Sequence, residues 1–298
     1  MSRHPVRRHW TCFTTATRYA LIEHLRNRFA TVLVALFVPV WTVMGFLSVP
    51  DALVRFRLRA TGETLTPGGN QLTEITGVLN SVALIIGFMM FAATFTGSHF
   101  DRRLVLSGYP RVHLVLAKVT ALTVASVVVA AYATGLTCVF RVPDQPLTFA
   151  AALFCAGLTY GALGVALGSL LHREVEGMFA IAMISIIDLV LQNPLYSSSS
   201  SSSAMRYLPS YGSMQAATGA GFSTTASLNR YLAIQLLWFT VAACVGFVAF
   251  QLRTRSSLTR SGPRRLVPKR PARSSTRTTT PGPRSDVATR GRRHGERP

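Results

Sequence analysis

The sequence predicts an all-α integral membrane protein with six transmembrane helices and both termini in the cytoplasm. Three observations carry this expectation. Of the 298 residues, 49% are hydrophobic and only 14% are charged, against about 25% charged in soluble domains. The charge is segregated into residues 1–28, a few short loops and the last 48 residues, with long, nearly ion-free stretches between. Several of those stretches approach or exceed the roughly 20 residues that, at about 1.5 Å each, cross a hydrocarbon layer about 30 Å thick.

Taken in order, residues 1–28 set Arg3, Arg7, Arg8, Arg18, Arg26 and Arg28 against a single acid, Glu23. From Cys12 to Arg28, apolar residues such as Phe13, Tyr19, Leu21 and Leu25 interleave with polar ones, the pattern of an amphipathic helix lying in the membrane interface. The first apolar run starts near Phe29 and is long enough to span, so it does not read as a secretory signal. The membrane domain covers 29–250, with spans at 29–49, 75–95, 113–140, 147–171, 178–192 and 231–250. Pro50-Asp51 closes the first span, and Pro67-Gly68-Gly69-Asn70 supplies the turn before the second. The third is longer than one crossing, so its first turns project into the cytoplasm. Residues 141–146, with Pro143 and Pro146, turn tightly into the fourth, and residues 193–230 form a long polar and aromatic stretch before the sixth.

Orientation follows from the bias of Lys and Arg. With the N-terminus inside, 25 of the 31 basic residues are cytoplasmic, and without the long tail the ratio is still 11 to 6. Arg55, Arg57 and Arg59 fall on the outer side. The net charge of +20 is concentrated in residues 251–298, which hold 14 of the 31 basic residues and no apolar period. That segment reads as a disordered basic cytoplasmic tail brushing anionic lipid headgroups rather than as a nucleic-acid site.

The residues exclude much chemistry. Only two lysines occur, Lys118 and Lys269, and neither follows glycine, so a phosphate-binding GxxxxGK[ST] loop is ruled out. There is no HExxH, GxSxG or dinucleotide-binding turn. Cys12, Cys138, Cys155 and Cys244 lack metal-ligand spacing and read as small apolar fillers. Glu174 and Glu176 read as solvated charge in a short turn. No enzyme, metal or bound cofactor is expected.

Gly157, Gly161, Gly164 and Gly168, spaced 4, 3 and 4, line one face of the fourth span. Small residues let helix backbones approach closely in lipid, within the bundle or across a subunit interface; a flexible gating helix is the alternative. Asp188 stands inside the fifth span, where a carboxylate costs about 2.5–3.5 kcal/mol at mid-bilayer. It either snorkels to the outer interface or lines a transport path.

The segment between spans two and three is more elaborate than a connector. Phe100, Asp101, Arg102, Arg103, Leu104 and Leu106 read as a short amphipathic helix, followed by Ser107-Gly108-Tyr109-Pro110-Arg111 and a helix restart through Lys118. This run resembles the first cytoplasmic loop of ABC-2-type permeases, the membrane subunits of ATP-binding-cassette exporters. The order of parts is similar too, as are Gln192-Asn193-Pro194-Leu195 and residues 207–212 to the outer re-entrant region of that family. Seven serines, Ser197 to Ser203, and the basic tail depart from it.

The resemblance implies a transport subunit of a cell membrane, with bacterial origin suggested by 29 Arg to 2 Lys. It would pair as a homodimer or with a second permease and recruit ATP-binding subunits carrying ATP and magnesium. Phe100, Asp101, Arg102, Arg103, Leu104, Leu106, Pro110 and Arg111 would couple to that ATPase, the charged residues by polar contacts and the apolar ones in a groove. The alternatives are a membrane anchor that moves nothing and a transporter driven by an ion gradient. The exported substrate is not legible.

Overall fold

The computed structural model describes residues 4–58, 62–193 and 203–260. The run of serines, all but Ser203, and the tail after Arg260 lie outside the described residues. Among those described, the chain is helical apart from one small hairpin: α1 (His4–Arg26), α2 (Arg28–Ser48), β1 (Phe56–Arg57), β2 (Thr64–Leu65), α3 (Gly69–Leu106), α4 (Arg111–Phe140), α5 (Pro146–Leu170), α6 (Glu174–Gln192), a 3₁₀ turn (Ser203–Tyr207), α7 (Tyr211–Phe222) and α8 (Asn229–Arg260).

Five helices are long and apolar enough to cross a membrane: α2, α3, α4, α5 and α8. This is an all-α membrane protein. α6, expected as the fifth of six spans, is not among the five; Glu174, Glu176 and Asp188 put three carboxylates into its 19 residues. Its faces are nonetheless inverted relative to those of a helix in water. Ser185, Asp188 and Gln192 are buried, while Val175, Phe179, Met183, Ile186, Ile187 and Val190 are exposed. Water would reverse that arrangement; lipid favours it.

α5 is the axis of the bundle. It packs on α3, α4, α7 and α8, and most of its side chains are buried. The core is built from Val78, Val82, Ile86 and Met90 of α3 against Phe149, Leu153 and Ala156 of α5, with Leu122 of α4 and Ala217 of α7. Pro146 starts α5 at a position whose N–H needs no partner. We call the end of the bundle carrying α1 and the α3–α4 turn basal, and the end carrying the hairpin and α7 apical.

Several boundaries differ from the sequence reading. α3 begins at Gly69 rather than near residue 75, because the 51–58 and 62–68 segments pair as an antiparallel hairpin. The separate coupling helix is absent: residues 97–106 continue α3, which at 38 residues is about 57 Å long. Nothing between Phe95 and Leu106 breaks a helix except Gly97, which costs only about 1 kcal/mol. The stop comes at Gly108, whose φ of +86° closes a Schellman turn through Gly108 N–H to Val105 O and Tyr109 N–H to Leu104 O. α8 runs to Arg260, ten residues into the segment read as disordered tail. The stretch after α6, read as polar and aromatic, contains α7, twelve mostly small residues, ten of them buried, lodged against α3, α5 and α8.

Candidate functional site

Two sites merit attention, one at each end of the bundle. At the basal end, α3 and α4 meet in a knuckle spanning Phe100 to Arg111. Asp101 is buried and pairs with Lys118 Nζ of α4 at 2.7 Å. Tyr109 Oη donates to the Cys12 carbonyl of α1 at 2.5 Å, and Arg111 Nη1 donates to Gln251 Oε1 of α8 at 3.3 Å. The His9 ring stacks on His113 with centroids 5.2 Å apart. Three helices are thus tied to the knuckle by polar contacts.

The expected coupling residues separate into two groups. Phe100 is 63% and Leu106 57% exposed, and Arg103 is exposed with them. Leu104 and Pro110 are half-buried. Asp101 and Arg111 are turned into the protein by the contacts above, so polar docking by Asp101, as expected from sequence, does not fit its position. The Arg102 side chain lies outside the described residues.

Around the Asp101–Lys118 pair, two groups on α1 are perturbed. Burial raises the Glu23 carboxyl above its ordinary value, opposed by Lys118 and aided by Asp101. Burial lowers the His24 imidazole, and the Lys118 charge adds to this. The outer face of α1 carries Trp10 and Tyr19, each 68% exposed, and exposed arginines at 18 and 26. Aromatic and cationic residues on one face suit an interfacial helix.

At the apical end, Asp188 does not snorkel. It is 2% exposed and gathers donors from three neighbours. Tyr160 Oη of α5 donates at 2.5 Å, the Ser210 N–H at 3.1 Å and Gln192 Nε2 at 3.3 Å. Ser210 is the N-cap of α7, so the carboxylate also faces the positive end of that helix dipole. Gln235 of α8, fully buried, completes the clasp. Its Nε2 donates to Thr159 Oγ1 at 2.8 Å and to the Pro209 carbonyl at 2.7 Å, and its Oε1 accepts from Ser213 N–H at 3.0 Å. The far end of α7 is held by Arg141, which donates to the Gly221 carbonyl at 2.7 Å and lies 4.4 Å over the Phe222 ring. Gln145 Nε2 reaches the Ser223 carbonyl at 2.7 Å.

The glycines of α5 lie along α3 and α4. A Cβ on Gly164 would stand 2.3 Å from the Gly87 carbonyl oxygen; one on Gly168 would stand 3.0 Å from that of Phe91. Gly157 and Gly161 face the side chains of Ile86, Ser126 and Leu122.

One acid escaped the sequence reading, which took Asp188 as the only acid well inside a span. Glu74 is 1% exposed in the second turn of α3, and its Oε1 has no hydrogen-bond partner among the described residues. Placing the start of α3 six residues late put Glu74 in a loop. Gly69 and Gly77 flank it with no helix signal of their own, and only the buried apolar period of Leu72, Ile75 and Leu79 could have found it. Gln235 was missed as well, since a lone amide in an apolar span carries no motif. Compared with protein-family models and with curated proteins, the chain matches none.

Proposed function

We propose that this chain is the membrane subunit of an ABC-type exporter, resembling the ABC-2 permeases, and that a separate ATP-binding subunit docks on residues 97–111. In this reading α6 is the fifth of six spans, both termini are cytoplasmic, and the basal end faces the cytoplasm of a bacterial cell. The polar inner face and apolar outer face of α6 support counting it. ATP and magnesium belong to the partner, in keeping with a chain that has no phosphate-binding loop.

The observation that carries the reading is the knuckle. Phe100 and Leu106 present apolar anchors beside exposed Arg103 on the last turns of α3, and α1, α4 and α8 are all bonded to the knuckle or its flanks. A push on it would reach three helices at once, which is what a rigid-body two-state change needs. Co-purification of an ATPase in detergent tests the proposal. Phe100→Ala is expected to weaken that association about tenfold, the effect of losing one apolar anchor. Arg103→Glu, alone or with Arg102→Glu, is expected to lower both association and export. Unchanged docking and export in these variants would refute it.

A second reading, an ion-gradient-driven transporter, is favoured by Glu74, a buried carboxyl with one oxygen unsatisfied. Buried membrane acids commonly serve ion paths. Loss of proton-coupled uptake in Glu74→Gln, with no ATPase required, would select it over the first.

A further inference from the structure

The basal half of the bundle contains a groove that meets the basal site at Lys118. α5 holds α4 and α8 apart and leaves a partly open, mainly apolar groove between them. Its α4 wall includes Val115 and Leu122, its α5 floor Val165, and its α8 wall Phe239 and Phe247. From Phe239 to Phe250 the α8 wall runs eleven residues, about 16 Å. Its deep end lies well within the spans, and its shallow end lies where α3 and α5 approach the basal surface.

Polar groups occur only toward that shallow end. Thr94 is 4% exposed, and its Oγ1 has no hydrogen-bond partner among the described residues. Lys118 is held by Asp101 at 2.7 Å, and an ammonium with three donors retains capacity for a second anion. Arg111, seven residues earlier on α4 and so on the same face, adds a second cation. Its Nη1 is engaged by Gln251, and four other N–H donors of the guanidinium are left.

We propose that this groove holds one acyl chain of an anionic phospholipid from the leaflet at the basal end, with the lipid phosphate on Lys118 and Arg111. An aromatic and aliphatic trench at membrane depth is filled by hydrocarbon rather than water; Asp101 offsets the Lys118 charge, so the guanidinium of Arg111, bonded to a neutral amide, selects headgroup charge and Lys118 adds a hydrogen-bond donor. A zwitterionic lipid would enter the same trench with less selectivity. The proposal does not depend on the permease reading or on which side of the membrane is cytoplasmic.

The test uses the full chain in nanodiscs of equimolar phosphatidylcholine and phosphatidylglycerol, one or the other bearing a diazirine near the end of its acyl chain. After irradiation, labelled peptides are mapped. Labelling of 162–169 and 239–250 is expected to be several-fold stronger from the phosphatidylglycerol probe. Gly246→Leu fills the trench and should cut that labelling several-fold while leaving the outward face of α6 unchanged. Gly246→Ala, whose Cβ meets only ordinary contacts at 3.4 Å or more, is the folding control. Lys118→Gln with Arg111→Gln should bring the two probes level. Should Gly246→Leu fail to fold, the comparison of probes in the unaltered chain decides alone. Even labelling over all outward faces, equal labelling by both probes in the unaltered chain, or crosslinks to a second copy in place of lipid would overturn the proposal.

Discussion

Asp188 is a carboxylate whose environment accounts for its presence. A lone charge in the bundle would be expensive, but three donors and the start of α7 surround this one, and hydrogen bonds to charged groups contribute about 1.5–3 kcal/mol each. Asp188→Ala would strand the Tyr160 hydroxyl and the Ser210 N–H, each orphan costing about 1–3 kcal/mol. We expect a loss of roughly 2–5 kcal/mol in thermal unfolding in detergent, with Asp188→Asn less harmful because it still accepts. A full-length Asp188→Ala as stable as the parent would show that the clasp is not what holds α7. His24 gives a second residue-scale prediction. Its imidazole is lowered from the ordinary 6.5 by burial and by Lys118, so the docked form of α1 favours the neutral ring. That contribution is complete above 6.5 and is lost as the pH falls through the lower docked value. Glu23 acts in the opposite sense: its raised carboxyl supports docking at low pH and ceases to as the pH rises above its ordinary 4.5. Trp10 emission, with Trp41 and Trp238 replaced by Phe, should therefore report looser docking of α1 as the pH drops below 6.5, and His24→Gln should remove that part of the response.

At the scale of elements, α5 and α3 approach as closely as backbones allow. Gly164 meets a carbonyl oxygen, which cannot swing aside, whereas Gly157 meets the Cδ1 end of Ile86, which can rotate. Gly164→Ala is accordingly expected to cost about 1–3 kcal/mol, the range for overpacking, and Gly157→Ala distinctly less. Equal effects in thermal unfolding would mean the two helices do not meet this way. The glycine face itself was legible from its 4-3-4 spacing, but not which glycine meets backbone; that depends on the partner helix at each level. The extent of α3 was less legible. A reading that looks for an apolar run stops near Phe95, where polarity begins, but backbone hydrogen bonds continue until a residue with positive φ and a proline end them. Likewise, α7 has the composition of a loop, with three glycines and two serine or threonine hydroxyls among twelve residues. It is a helix because Asp188, Gln235 and Arg141 satisfy its two ends from outside.

For the whole molecule, sidedness carries the functional reading. If the basal end is cytoplasmic, a cysteine placed at Ser107 should resist a membrane-impermeant maleimide in intact cells and react after permeabilisation. Ready labelling in intact cells would place the knuckle outside and remove the basis for an ATPase docking there. What the sequence by itself determined is the environment: long ion-free apolar runs and segregated charge leave lipid as the only solvent that suits them, because the cost of exposing such runs to water is local and additive. What only the tertiary structure decided is where the few polar side chains inside those runs point. Apart from Gln192 on Asp188's own helix, the side-chain partners of Asp188, Gln235 and Asp101 come from segments 17 to 76 positions away, and one oxygen of Glu74 has none among the described residues. Directional bonds between distant segments form only when packing has set helix order and rotation, and no local pattern encodes either.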